Sequence, residues 1–350
     1  MKTITTCIVL LLLTLVSQAE TIRHEGILKG APYTVVTPQS WEGGKVFFHV
    51  HGWRPEDAPH EADLNMEDPF YEGLVNDGWI IGRTAFQENG VDHDAHTLAL
   101  RDLKEWIEDQ FGPIKTLVLE GESTAGTLVL RIAEQDADLA DGVIAKGPFI
   151  EFFDTELDSY LTAKPQIPSI LMSNTTEIIH ALEYSVLSES GEFPASLRPL
   201  MRPGHVNVNW VERRAALMAL LSTIDGESTK ILTNGTREVP ARVTGTTEEE
   251  GYLVNEVISV NPYYGNAFLG YHPDELIDAG IVKGEAFEVE AAGKTWSVVF
   301  GSSYGDVPAG EWVAFPTADA TIMLVRNHQS AIETAGITVG DPIRIKALQE

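Results

Sequence analysis

The sequence predicts an α/β domain with a doubly wound, mostly parallel sheet, followed by a small all-β, barrel-like domain. Three observations carry this. From about Thr21 to Thr223 short apolar runs alternate with amphipathic helical stretches, the rhythm of a parallel sheet covered on both faces. After Ser222 the texture changes to polar segments such as DGESTK and TGTTEEEG between short β-branched runs. A length of 350 residues suggests two domains.

The chain opens on MKTITTCIVLLLLTLVSQA: a lysine, an apolar run from Cys7 to Val16, and small residues at Ser17 to Ala19. This is the layout of a secretory signal peptide, too short to be a good membrane span. We therefore expect residues 1–19 to be removed near Ala19 and the protein to be secreted or periplasmic. Cleavage takes away Cys7, the only cysteine, which excludes disulfides, thiolate metal sites and a cysteine nucleophile.

Candidate strands are Val46–Val50, Trp79–Thr84, Thr116–Leu119, Gly142–Ala145, Ile167–Met172 and Leu197–Met201. Helices are expected around Ala95–Gln110, at Thr124–Glu134 and at Trp210–Ser222, the last closing a domain over residues 20–222. Residues 223–256 read as a linker and the start of a second domain over 257–350. There Phe287, Val289 and Ala291 alternate with acids, AAGK makes a turn, Thr295–Phe300 returns, and one helix is expected at Gln329–Ala335.

With 24 Lys and Arg against 52 Asp and Glu, the formal net charge is −28. Such a balance argues against nucleic acid and anionic membrane surfaces as partners. At 43% hydrophobic and 22% charged residues the chain is ordinary globular material, able to bury a full core.

The strongest local signal is Gly121-Glu122-Ser123-Thr124-Ala125-Gly126, where a strand runs into a helix. A nucleophilic serine needs a tight strand-to-helix turn that lifts its oxygen above the sheet, with small residues where backbones crowd. Serine is also a favoured helix N-cap, the purely structural alternative. The nucleophile needs a base and an acid to orient it. His205, in RPGH after a strand and before a helix, is the candidate base. Glu177, the first carboxylate after Ile167–Met172, is the candidate acid, with Asp154 as rival. Backbone N–H groups of Trp53 and Thr124 are the candidate oxyanion donors, with Gly52 permitting close approach. His51 and Gly52 are expected at the pocket, His51 without a proton-transfer role. His93 and His96 flank Asp94 in VDHDAH, but a solvated loop is the expectation there, and no metal or cofactor is implied.

Taken together, HGW after an early strand, GESTAG, IPSILMSNTTE and PGH, in the order serine, acid, histidine, resemble the α/β-hydrolase superfamily over about Glu25 to Ser222. The resemblance implies a serine hydrolase, carboxylesterase-like, acting on a small-molecule acyl substrate. It departs from the pattern at Glu177, where Asp is commoner, at Asn174, where Gly is frequent, and at Ala125, the usual last Gly of the elbow. Beyond Val257 the segments NPYYGNAF, YGDVPAGE, RNHQSA and VGDP resemble the C-terminal domain of the SAM hydroxide adenosyltransferases, which implies a small β-barrel. In that family the adenosyl ligand lies between the barrel and an N-terminal SAM domain. Here a hydrolase-like segment precedes the barrel, and Pro316-Thr317-Ala318-Asp319 stands where that family has Asn-Ser-x-Gly. Gly265 and Asn266 are expected as a turn. Two other readings stay open: a binding protein that retains the elbow only as architecture, and an adenosyl-processing protein whose barrel makes the site. Little room for a large lid is expected between Gly147 and Gln166.

Overall fold

In the computed structural model, residues 21–348 are described apart from 151–160, 229 and 242. Strands β1 (Thr21–Leu28) and β2 (Ala31–Pro38) form an antiparallel hairpin closed by Lys29 and Gly30, both at positive φ. Then follow β3 (Lys45–Val50), α1 (Pro69–Asn76), β4 (Ile80–Thr84), α2 (His93–Phe111), β5 (Thr116–Glu122), α3 (Thr124–Gln135) and β6 (Gly142–Lys146). β7 (Ser169–Asn174), α4 (Ile178–Ser188), β8 (Ser196–Leu200) and α5 (Trp210–Ile224) complete the first unit. The sheet order is β1-β2-β4-β3-β5-β6-β7-β8, parallel from β4 through β3 to β8, with β2 antiparallel beside β4.

Period-two alternation explains why β3 reads as a continuous apolar run. Phe48 packs on the face covered by α2 and α3 while Phe47 packs on the face covered by α1 and α5, and both are fully buried. Burying each ring is worth roughly 1.5–3 kcal/mol. Gly82 on β4 lets the Phe48 ring in, since a Cβ there would sit 2.7 Å from it. This two-layered cover on a mostly parallel sheet is the α/β-hydrolase architecture expected from the sequence.

Residues 231–235 run along β8 instead of leaving the first unit: Leu197 N–H donates to Ile231, Thr233 N–H to Leu197 and Gly235 N–H to Pro199. The second unit begins with β9 (Thr247–Glu249) and β10 (Tyr252–Asn261), starting inside residues 223–256, the segment read as linker and start of the second domain, because Leu253 to Glu256 pair with the end of the chain. It continues through β11 (Asn266–Leu269), α6 (Pro273–Asp278), β12 (Ala286–Ala291), β13 (Lys294–Phe300), β14 (Trp312–Pro316), β15 (Ile322–Arg326), α7 (Ala331–Ala335) and β16 (Pro342–Ala347). The order β11-β15-β14-β13-β12-β16-β10 closes through the β10–β11 pairing into a seven-stranded barrel, with β9 outside it. The expected AAGK turn joins β12 and β13, with Ala292 and Gly293 both at positive φ, as a two-residue hairpin turn requires.

Candidate active site

The site is built at the C-terminal ends of the parallel strands. β5 ends in Glu122, and Ser123 takes φ 54°, ψ −122° as the N-cap of α3. That is strained backbone for a non-glycine residue. It persists because both flanks are tied down: Ser123 N–H donates to Lys146 O at the end of β6 (2.9 Å), and Gly126 N–H turns back to Ser123 O (2.9 Å). The small residues are required sterically. A Cβ on Gly121 would lie 2.1 Å from Ala125 O, and one on Gly126 would lie 3.0 Å from Pro148 Cα. Ala125 is tolerated in place of glycine because the crowding falls on its backbone oxygen.

The three sequence candidates converge. His205 Nε2 lies 2.8 Å from Ser123 Oγ, and His205 Nδ1 is in short contact with Glu177 Oε2. Glu177 is the N-cap of α4 yet caps nothing with its side chain. Its other oxygen accepts from Val206 N–H at 3.4 Å and Asn174 N–H at 3.5 Å. The hydrogen bond to Glu177 raises the His205 pKa above 6.5, outweighing its desolvation, with the Glu177 and Glu122 charges adding to the rise. Asp154, the rival acid, lies outside the described residues, as does most of the segment expected to leave little room for a lid.

Two residues that sequence reasoning missed make this possible. Gly147 (φ 50°) follows β6, and a Cβ there would lie 2.7 Å from Glu177 Oε1. Asn174, fully buried, explains its departure from glycine. Its Oδ1 accepts from Asn207 N–H (2.9 Å), and its Nδ2 donates to Asn207 O (3.1 Å) and Arg202 O (3.4 Å), which pins the histidine loop. Their signals were position, each following or ending a strand of the sheet, and for Asn174 its standing where glycine is frequent.

Gly52 lies against the elbow, where a Cβ would meet Glu122 O at 2.8 Å and Ser123 Cβ at 3.1 Å. Trp53, 45% exposed, lines the cleft above Ser123. His51 sits off the cleft wall. It is buried with Nδ1 on Gly52 O (2.8 Å), faces a void of about 10 Å³ shared with Thr124, and is held well below pH 6.5 by burial and then by Arg54. The VDHDAH segment is not a solvated loop. His93 and His96 begin α2 with Asp92 as N-cap, and both are buried. His96 stacks on Phe86 at 3.7 Å, and burial, then His93, lowers it to about 4. The helical spacing turned both imidazoles inward, which charge alternation alone concealed. Asp94 faces out and pairs with Arg131 (2.6 Å). Among the described residues no group of three or more His, Cys, Asp or Glu is placed to hold a metal ion, and no helix is long and apolar enough to cross a membrane.

Beneath the elbow lies a buried charge network. Arg213 on α5 donates to both oxygens of Glu120 (3.0 and 2.6 Å) and to Asp68 (2.7 Å), and Lys146 lies 3.2 Å from Glu120 and 3.3 Å from Glu122. Burial pushes Glu120 up, but Arg213 and Lys146 prevail and hold it at about 2.

Ser123 and His205 open into a cleft of about 1270 Å³ whose far wall is the barrel: Tyr264, Gly265, Asn266, Tyr304 and Arg326 among others. Gly265 is a turn residue as expected (φ 69°), but Asn266 is a buried β11 residue whose Nδ2 donates to Tyr304 Oη at 2.9 Å.

Residues 255–344 match the SAM hydroxide adenosyltransferase C-terminal domain. Solved structures show likenesses over part of the chain. An esterase of Pyrococcus furiosus is 15% identical, covering 59% of this chain and 92% of its own, with a TM-score of 0.46. A hyperthermophilic esterase of Pyrobaculum calidifontis is 14% identical, covering 59% and 85%, with a TM-score of 0.45. An uncharacterised conserved protein of Thermotoga maritima is 18% identical over 36% of this chain, with a TM-score of 0.28, and this chain spans 49% of that protein's length. No curated protein matches the chain. The matched residues lie in the barrel, and the cleft lies between the barrel and the first unit.

Proposed function

We propose that the protein is an exported serine hydrolase that cleaves an ester or related acyl bond through an acyl-enzyme. One observation carries the reading: Ser123, His205 and Glu177 stand in hydrogen-bonded sequence at the mouth of a large cleft. Ser123 Oγ attacks the acyl carbonyl as His205 Nε2 takes its proton. The imidazolium, stabilised and oriented by Glu177, returns that proton to the leaving group. Water then repeats the sequence on the acyl-serine and restores the free enzyme. Backbone N–H groups of Trp53 and Thr124 receive the oxyanion, and Gly52, pressed against the elbow, lets the two donors stand close together.

The test is labelling of the protein with a fluorophosphonate. Labelling abolished by Ser123→Ala and by His205→Ala is expected; labelling unaffected by Ser123→Ala sinks the assignment. A non-catalytic binding protein is the reading a distant His205 would favour, and His205 Nε2 lies 2.8 Å from Ser123 Oγ. An adenosyl-processing reading is favoured by one feature, the position of the matched barrel's Gly265, Asn266 and Arg326 on the same cleft. Calorimetry with adenosine and with SAM tests it, and the absence of heat at high ligand concentration removes it.

A further inference from the structure

The barrel touches the hydrolase unit on both sides of Ser123. On one side, Tyr264 Oη donates to the carbonyl of Trp53, and the Arg54 guanidinium lies over the Tyr263 ring at 3.7 Å. Tyr264 is itself set by an Asx turn, with Asn261 Oδ1 accepting from Tyr263 N–H (3.0 Å) and Tyr264 N–H (3.2 Å). On the other side, Ala318 N–H donates to Asn207 Oδ1 at 2.7 Å, Asn209 Nδ2 donates to Ala318 O at 3.2 Å, and Asp319 Oδ1 accepts from Trp210 N–H at 3.5 Å. The Asn207 carboxamide also donates to Pro203 O at 3.1 Å, so it spans the loop on either side of His205. That loop is unusual backbone, with Gly204 at φ 126° and Val206 at φ 52°, and a Cβ on Gly204 would lie 2.8 Å from Asn207 Cβ.

We propose that the barrel is a positioning domain for the hydrolytic site: Tyr264 holds the Gly52–Arg54 segment that carries one oxyanion donor, and Ala318, through Asn207, holds the loop that carries His205. The inference rests on the hydrolase reading above. The 316–319 segment, where the chain departs from the adenosyltransferase pattern, is the segment that clasps the histidine loop. Tyr264 and Asn207 act through other groups. Strained loops need such support, because their native conformation is otherwise a minor one, and displacement of a catalytic group by about an ångström costs on the order of 100-fold in rate.

The experiment uses the full chain with Tyr264→Phe, Asn207→Leu and Asn207→Asp. It follows the fluorophosphonate labelling rate from mildly acidic to alkaline pH, with circular dichroism to confirm the fold. Asn207→Leu is expected to slow labelling on the order of 10- to 100-fold and to move the acid limb downward, because a loosened His205 loses part of its Glu177 contact. Asn207→Asp, which keeps an acceptor for the Ala318 N–H but loses the donor to Pro203 O, recovers part of the rate relative to Asn207→Leu. Tyr264→Phe slows labelling about tenfold with the acid limb unmoved, since the His205–Glu177 contact is intact. A wild-type rate in either Tyr264→Phe or Asn207→Leu, or an acid limb unmoved in Asn207→Leu, overturns the proposal. If the wild-type protein does not label at all, the hydrolase reading fails. The clasp is then judged by NMR titration of the His205 imidazole, assigned with His205→Gln, and a midpoint identical in wild type and Asn207→Leu overturns it.

Discussion

Replacing Arg213 with methionine tests whether the ion network beneath the elbow holds the fold in the way its geometry indicates. Arg213 makes two hydrogen bonds to Glu120, which has no solvent exposure, and one to Asp68, and its guanidinium lies 3.9 Å from the Phe70 ring centre. Methionine keeps the packing on Phe70 and removes the charge. Glu120 then has only Lys146, already shared with Glu122. Removing one partner of a buried ion pair costs about 3–5 kcal/mol. Linkage agrees in direction: Arg213 and Lys146 outweigh burial and hold Glu120 below its usual 4.5. Because the folded pKa is depressed, this stability is present above pH 4.5 and is lost as pH falls towards 2. The variant, whose Glu120 pKa rises on losing Arg213, is therefore furthest below wild type at neutral pH, and the gap narrows on acidification. At about 2–4 °C per kcal/mol for a unit of this size, its Tm at pH 7 should fall by roughly 6–20 °C. Thermal unfolding followed by circular dichroism at neutral and acidic pH measures both effects. Adding Glu120→Gln to Arg213→Met should recover a large part of the loss, since no buried carboxylate then lacks its partner. A loss under about 1 kcal/mol at pH 7, or one independent of pH, refutes the reasoning.

Glu177→Gln should lower kcat on the order of 1000-fold with little change in KM, because the amide cannot stabilise the imidazolium; a loss of tenfold or less in steady-state ester hydrolysis would return the acid role to another carboxylate. The acid limb of kcat/KM should have its midpoint above 6.5, because Glu177 raises His205, and the base must be neutral to accept the serine proton. His51 and His96 are neutral throughout that range and leave the limb to His205, so a midpoint below 6.5 contradicts the assignment. Gly52→Ala places a Cβ 2.8 Å from Glu122 O and should slow fluorophosphonate labelling at least about tenfold by parting the oxyanion segment from the elbow; wild-type labelling would deny that contact.

The sequence by itself determined the parts whose cause is local. A strand ending in Gly121-Glu122-Ser123 and followed by a helix points to a tight turn with the serine at its crest, and it was the order of Glu177 and His205 after it, not the six residues alone, that set Ser123 apart from an ordinary helix N-cap. Glu177 and His205 were legible from their places directly after apolar strands, because parallel strands deliver their following loops to one edge of the sheet. The change of texture after Ser222 announced a second unit, and glycine and proline turns announced its barrel. Tertiary structure decided what depends on segments far apart in the chain. Asn174 and Gly147 became site residues only when β6 and β7 brought them beside the histidine loop. His93 and His96, which charge alternation suggested were solvated, went inward because helix α2 has one face on Phe86 and the sheet. Where within residues 223–256 the second unit starts could not be read from the sequence, since β9 and β10 exist by pairing, directly or through β10, with β16 nearly a hundred residues later. The cleft itself has walls from two domains and therefore no signature in either. Short-range sterics write themselves into neighbouring residues, whereas contacts between surfaces folded separately are specified only by the shapes that result.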